Sequence, residues 1–311
     1  MPKTAGFVGS LGGAQLPWRG RRSSTCSEAR EPTRFTRPVT PTHGTTLSNV
    51  EGEWFGHETS FSGVSGERLT IPEYYVPDEF RNWDAKIYGF DCVTSVKEVE
   101  GNSLRVKLTR AMPTVGCEAD AVVPEVFEET LPLSQDDGFV GFENGSFSRG
   151  PPKYASSSTW EHCMCYGKKR VRVLFPELDG RQKTRLFTEA WDGDYCNGAL
   201  LSGCGSKISR IEGNGEMDAS VQLEGKWSRR GYTWRKSDGT CQVSSVIESR
   251  NRFVKRFLPG GVTIDKVVDE NGRIVLETSW NVSELTRIVL LRTYSETQEL
   301  EEVSNYVDER C

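Results

Sequence analysis

Two stretches of this chain end alike. Ser158-Thr159-Trp160-Glu161 leads into Arg170-Val171-Arg172-Val173-Leu174-Phe175 and, past a polar turn, into Arg185-Leu186-Phe187-Thr188-Glu189-Ala190-Trp191. About 120 residues later, Glu277-Thr278-Ser279-Trp280 leads into Arg287-Ile288-Val289-Leu290-Leu291-Arg292 and then Val303-Ser304-Asn305-Tyr306-Val307-Asp308-Glu309-Arg310. A phrase that recurs at such a distance predicts two copies of one β module and not a single large core. From Leu47 onward the residues alternate with period 2 between Gly, Asn and Asp turns, and helical patterning is scarce. Many short strands at close spacing predict an all-β barrel or sandwich. The best helical stretch, Ala199 to Ile211, is interrupted by Gly203 and Gly205.

The two copies also open alike, Glu51-Gly52-Glu53-Trp54 in the first and Glu224-Gly225-Lys226-Trp227 in the second. Between them, Gly193, Gly198, Gly203, Gly205, Gly213 and Gly215 mark a connector. The expected organisation is a leader at 1–47, a first barrel at 48–192, a Gly-rich connector at 193–219 and a second barrel at 220–311. The copies are unequal: 116 residues separate Trp54 from Arg170, and 60 separate Trp227 from Arg287. An insertion near Pro72 to Pro132 in the first copy accounts for the difference, and the second barrel is the smaller.

In a small closed barrel, a Gly before the first-strand Trp lets the chain bend tightly at the floor, and the indole fills that end. An Arg from a late strand can then cover the indole face as a cation–π lid. Arg170 or Arg172 is the candidate for Trp54, and Arg287 or Arg292 for Trp227. The run Lys168-Lys169-Arg170-Val171-Arg172 is the densest basic patch outside the leader. Taken alone, its alternation reads as the solvent face of a strand; taken with the two openings, its arginines become barrel-closing residues.

These residues carry a resemblance. The stretch Phe257-Leu258-Pro259-Gly260-Gly261-Val262, the strand ending Ser279-Trp280, Arg287 with Arg292-Thr293-Tyr294, and Glu309-Arg310 resemble the calycin superfamily. They are most similar to two-module lipocalin-like proteins of cyanobacteria and plastids that have no assigned activity. The resemblance implies two lipocalin-like antiparallel β-barrels, distantly similar to the lyases that attach bilins to phycobiliproteins. Glu224-Gly225-Lys226-Trp227-Ser228-Arg229-Arg230 is similar to the first strand of those lyases. A lyase-length module does not follow it, so lyase activity is not carried over.

Charge sets the leader apart. Its seven Lys or Arg face two acids, which leaves the body with 32 basic and 42 acidic residues. A basic, hydroxylated, acid-poor leader before an acidic body predicts a transit peptide and a place in the chloroplast stroma. The acidic body argues against nucleic acid as a partner. No apolar run approaches the 18 residues of a membrane span.

Chemistry is sparse in the sequence. Only three histidines occur, His43, His57 and His162, so neither a catalytic triad nor a His-rich metal site is expected. His57 lies three residues from Trp54 and so on the opposite strand face, outside the barrel. Cys163 and Cys165 share a strand face without a four-ligand set, and the cysteines read as reduced thiols. Cys117, in Pro113–Asp120, sits beside acids that raise a thiol's pKa, so this stretch reads as a loop. What remains is the aromatic group Tyr74, Tyr75, Trp83, Tyr88 and Phe90, the candidates for lining the mouth of a ligand cavity. The expectation is a protein binding a small apolar or pigment-like ligand such as a lipid, tetrapyrrole or carotenoid. A scaffold acting through its surface is the competing class and a bilin-lyase-like enzyme the third. Cofactor and protein partners are left open.

Overall fold

The computed structural model describes residues 49–115, 125–176, 183–197, 210–217, 226–237, 241–249 and 256–310. The leader, most of the connector and Cys117 lie outside them, as does nearly all of the 199–211 stretch. The described chain is all-β, in two antiparallel sheets.

The first sheet takes β1 (Gly52–Phe61), β2 (Arg68–Leu69), β3 (Phe90–Val99), β4 (Ser103–Arg110), β5 (Glu125–Pro132), β6 (Phe139–Gly141), β7 (Phe147–Arg149), β8 (Thr159–Tyr166), β9 (Lys169–Pro176) and β10 (Thr184–Gly193). Its order is β5-β4-β3-β1-β10-β9-β8-β7-β6, with β2 paired on β1. The second takes β11 (Glu216–Met217), β12 (Lys226–Arg235), β13 (Cys241–Ser249), β14 (Arg256–Leu258), β15 (Val262–Val268), β16 (Ile274–Asn281), β17 (Thr286–Tyr294) and β18 (Leu300–Arg310). Its order is β11-β14-β15-β16-β17-β18-β12-β13.

The path β3-β1-β10-β9-β8-β7-β6 of the first sheet matches β13-β12-β18-β17-β16-β15-β14 of the second, strand for strand. Register agrees as well. Arg170 pairs with Glu189, and Arg287 with Asp308; Trp54 pairs with Trp191, and Trp227 with Arg310. What the first copy has in addition is β2, a 3-10 turn (Glu73–Tyr75), a short helix α1 (Asp78–Asn82), β4 and β5.

Two closed barrels are not formed. Among the described residues no backbone ladder joins β5 to β6, or β11 to β13. The first sheet instead rolls until its two ends meet through side chains. Arg149 of β7 donates to Glu129 of β5 at 3.1 Å. Val96, Leu104, Leu131, Phe139, Phe147, Cys163 and Cys165, from β3 round to β8, form one apolar cluster inside the roll. The strands at the seam explain the open ladder: β6 is three residues long, and β5 is acid-rich and mostly exposed.

The outer face of β1, β8, β9 and β10 packs on the second sheet in one core. Phe61, Trp160, Met164, Val171, Val173, Phe175 and Leu186 meet Trp234, Leu276, Trp280, Ile288 and Leu290 there. Equivalent positions of the copies face each other: Cys165–Arg170 and Asn281–Arg287 are matching pairs, which places His162 opposite Thr278 in the repeat. His162 Nδ1 lies 2.9 Å from Thr278 Oγ1. Contact between equivalent residues is what an isologous, two-fold-like interface produces.

Candidate functional site at the mouth of the first sheet

The floor of the roll lies at the Trp54 end. Gly52 adopts φ +101°, a left-handed value that favours glycine, and the β1–β10 register slips between Glu53 and Trp54. The buried Trp54 indole donates to Val50 O at 3.1 Å, and the Arg170 guanidinium lies 4.1 Å from its ring centroid. In the second copy it is Arg287 that lies over Trp227, at 4.7 Å. Arg170 and Arg172 both point inward and are buried, so the basic run is no solvent face. It is Val171 and Val173 that face the shared core.

Carboxylates the sequence reading passed over hold these arginines. Arg170 Nε donates to Glu189 at 2.6 Å; Arg172 bonds Glu189 and reaches Glu161 at 2.9 Å. In the second copy Asp308 receives Arg229 at 2.7 Å and Arg287 at 2.6 Å. Burial alone would raise the Glu189 carboxyl, but Arg170 and Arg172 outweigh it and hold the group at about 2. The cue was present in the chain: Glu189-x-Trp191 and Asp308-x-Arg310 occupy matching positions of the repeat. Arg172 lies over Phe187 at 4.3 Å and not over Trp54. Arg292 lies on the shared-core side, away from Trp227. It donates to Tyr294 Oη at 2.7 Å and to the carbonyls of Gly138, Gly150 and Pro151 at 3.0–3.1 Å.

At the other end of the roll opens a cleft of about 520 Å³. Leu69, Ile71, Tyr74, Tyr75, Phe90 and Phe127 supply its apolar wall; Glu58, Arg110, Glu125, Glu73 and Lys183 supply its charge. Three of the five aromatic candidates, Tyr74, Tyr75 and Phe90, are brought together here. Tyr88 lies under Arg68, 4.0 Å from the guanidinium, and Trp83 packs edge-on to Phe80 at 5.8 Å; neither lines the cleft. Of the segment 82–88, which alternation predicts as a strand, Asn82 instead ends α1 and 83–88 follow it as loop. Pro77 fixes the entry to that helix, and Asp78 and Glu79 suit its first turn.

A closed charge network forms the cleft's inner wall. Arg110 grips Glu58 with two bonds of 2.8 and 2.9 Å and Glu125 with one of 3.0 Å, while Arg185 reaches Glu58 at 2.7 Å. Burial raises the Glu58 carboxyl, but Arg185 and Arg110 outweigh it and leave it lowered. The Arg110 guanidinium also lies 4.9 Å from the Phe90 centroid and 4.6 Å from that of Phe127. Tyr75 Oη donates to Glu125, and that bond, with a smaller contribution from Tyr74, pushes the phenol pKa up. Glu58, Arg110 and Glu125 are therefore answered by their neighbours, and the aromatic faces remain for a guest.

The remaining candidates are accounted for elsewhere. His57, on the face opposite Trp54, is buried and bonds Asp91 at 2.9 Å; Asp91 also receives Arg210 at 3.1 Å. Cys163 and Cys165 face inward with sulfurs 3.8 Å apart, and burial pushes the Cys163 thiol well up. Cys92, Cys163 and Cys165 are free, whereas Cys196 is disulfide-bonded, so the all-reduced reading does not hold for it. Among the described residues no helix is long and apolar enough to cross a membrane.

No protein-family model and no curated protein matches the chain. A solved structure from Bacteroides fragilis aligns over 85% of this chain and 99% of its own, at 10% identity, but its TM-score of 0.12 carries no argument. A second, from Nostoc punctiforme, is a protein of unknown function from the DUF3598 family. It superposes with a TM-score of 0.55 over 86% of this chain and 99% of its own, at 15% identity. At that identity the likeness establishes a shared fold: this chain has the two-sheet fold of a cyanobacterial protein of the DUF3598 family.

Proposed function

We propose that this protein binds a small ligand with an apolar, ring-bearing or acyl body in the cleft at the mouth of the first sheet. The observation that carries the reading is that Tyr74, Tyr75, Phe90 and Phe127 converge with Leu69 and Ile71 on one opening of about 520 Å³. Small molecules bind in pockets of this size, where apolar walls meet fixed polar groups, and here one apolar aromatic wall stands against a charged one. The same proposal takes the two sheets as diverged lipocalin-like modules, a reading supported by the glycine and tryptophan at the start of β1 and the arginine lid over each tryptophan. The basic, acid-poor leader supports a plastid address.

The test uses purified protein and a fluorescent acyl-chain probe, with free fatty acid, a carotenoid and a linear tetrapyrrole as competitors. Saturable probe binding with displacement by one class is expected. Ser60 lines the cleft, so Ser60→Trp fills it and should abolish binding without lowering thermal stability. Phe90→Ala should weaken binding roughly tenfold, equivalent to about 1.4 kcal/mol. No saturable uptake, or binding indifferent to Ser60→Trp, would remove the cleft reading and leave the surface-scaffold class.

A further inference from the structure

The cleft's rim is more exposed than its walls, and its composition is specific. Tyr74 is 77% exposed and Phe127 43%, although both line the opening. Trp83, 63% exposed, lies on the same loop as Tyr74 and Tyr75. That loop, 71–87, is pinned at its base by Ile71 N–H donating to Ile87 O at 3.0 Å. Its aromatic members are thus held out on a fixed arch. Solvent-exposed Tyr and Trp side chains on one short loop are unusual for a water-facing surface, because each has an apolar body with a polar tip. That combination suits the boundary between lipid headgroups and acyl chains.

Charge selects which lipid surface. The loop carries Glu73, Asp78, Glu79 and Asp84 against Arg81 and Lys86, and Arg81 is bonded to Asp78. Anionic membranes attract clusters of Lys and Arg, and this rim has none. Within the cleft, Glu58 and Glu125 are answered by Arg110 and Arg185, and Lys183 adds a single exposed cation among the lining residues, not the cluster an anionic surface attracts.

We propose that the 71–87 arch carrying Tyr74 and Trp83, with Phe127 at the cleft's rim, docks the cleft onto the surface of a neutral or zwitterionic membrane, so that an apolar ligand passes between bilayer and cleft without crossing water. The proposal rests on the ligand-binding reading above. It is tested by flotation of the full chain with phosphatidylcholine vesicles and, separately, with phosphatidylglycerol vesicles. Phosphatidylcholine brominated on its acyl chains reports depth, because bromine quenches only indoles that enter the bilayer.

Flotation with phosphatidylcholine and weak flotation with phosphatidylglycerol are expected, with tryptophan emission quenched by the brominated lipid. Trp83→Phe should keep flotation and lose most of the quenching, since the other tryptophans of the two sheets lie mainly inside. Tyr74→Ser combined with Phe127→Ser should weaken vesicle binding at least fivefold while the melting temperature stays within a few degrees of the parent. Flotation with phosphatidylglycerol alone, absence of flotation, or quenching unchanged in Trp83→Phe each overturns the proposal. A rim that instead docks a protein partner gives the second of these. Uptake of the soluble probe is scored independently: probe uptake without vesicle binding sinks the docking alone, and vesicle binding without uptake sinks the ligand reading alone.

Discussion

His162 illustrates how one buried side chain sets a pH response. It is fully buried between the sheets, its Nδ1 against Thr278 and its ring edge-on to Phe175 at 5.2 Å. Burial first, and the nearby Arg292 charge second, lower its pKa from 6.5 to about 3. Between these values the unfolded chain takes up a proton that the folded chain refuses. Stability is therefore complete above about pH 6.5 and falls as pH drops toward 3, by up to roughly 1.4 kcal/mol per pH unit. Glu189 adds its own loss only below its unfolded value of 4.5, continuing down to about 2. The window from pH 6.5 to 4.5 is thus free of the Glu189 contribution. His162→Gln, which can still bond Thr278 and does not titrate, should flatten the melting temperature across that window. An unchanged slope in pH-dependent calorimetry would assign the acid sensitivity to other groups.

At the scale of the strand, the close approach of β1 to β10 and of β12 to β18 depends on a glycine in each copy. A Cβ on Gly56 would lie 2.0 Å from Thr188 O and 2.8 Å from Glu189 Cα; one on Gly231 would lie 2.0 Å from Asn305 O. The obstacles are backbone atoms, which cannot swing aside as a side chain can. Gly56→Ala and Gly231→Ala should each cost about 1–3 kcal/mol, read as a drop of several degrees in the melting temperature. An unchanged midpoint in either variant would mean that the two strands separate freely. Period-2 alternation carried much of this architecture into view, and the Gly52–Trp54 opening pointed to the arginine lid because local backbone geometry and a long-range contact meet there. The closing phrase was partly misleading. Matching Trp160 to Trp280 ignores pairing: Trp280 stands opposite Ile288, beside Arg287, whereas Trp160 stands opposite Phe175, five residues beyond Arg170. By register Trp280 corresponds to Met164, and Leu276 to Trp160. Strand β5 escaped notice because its Glu-Val-Phe-Glu-Glu run is exposed and weakly alternating, and Phe127 meets Arg110 only through the β4–β5 pairing, as a diagonal neighbour. Half the cleft is built by such distant strands, and no local pattern marks Arg110, Glu125 or Lys183 as neighbours of Tyr74.

For the molecule as a whole, the shared core decides how it unfolds. The outer face of the first sheet has no core without the second: Trp160 Nε1 donates to Tyr294 Oη at 2.8 Å, Leu300 N–H donates to Pro152 O at 2.8 Å, and the largest apolar cluster draws on both sheets. Arg292 is the most telling tie. It is wholly buried, and its partners are uncharged: the hydroxyls of Tyr294 and Ser148 and the carbonyls of Gly138, Gly150 and Pro151. Burial lowers its pKa, with Tyr294 offsetting part of that. A cation so placed is kept for the directions of its donors, which fix the turns beside β6 and β7 to the second sheet. Arg292→Met would leave three first-sheet carbonyls without those donors, at about 1–3 kcal/mol for each one left buried and unpaired. Because the tie spans both sheets, that loss should lower the stability of both by the same amount and leave a single transition. Hydrogen exchange followed by mass spectrometry across a denaturant series separates peptides of β8–β10 from those of β16–β18. Coincident loss of protection in the parent and in Arg292→Met is expected. Earlier loss in the second sheet, in either protein, would mean that the duplicated units kept separate stabilities and that the two-fold-like packing only joins them.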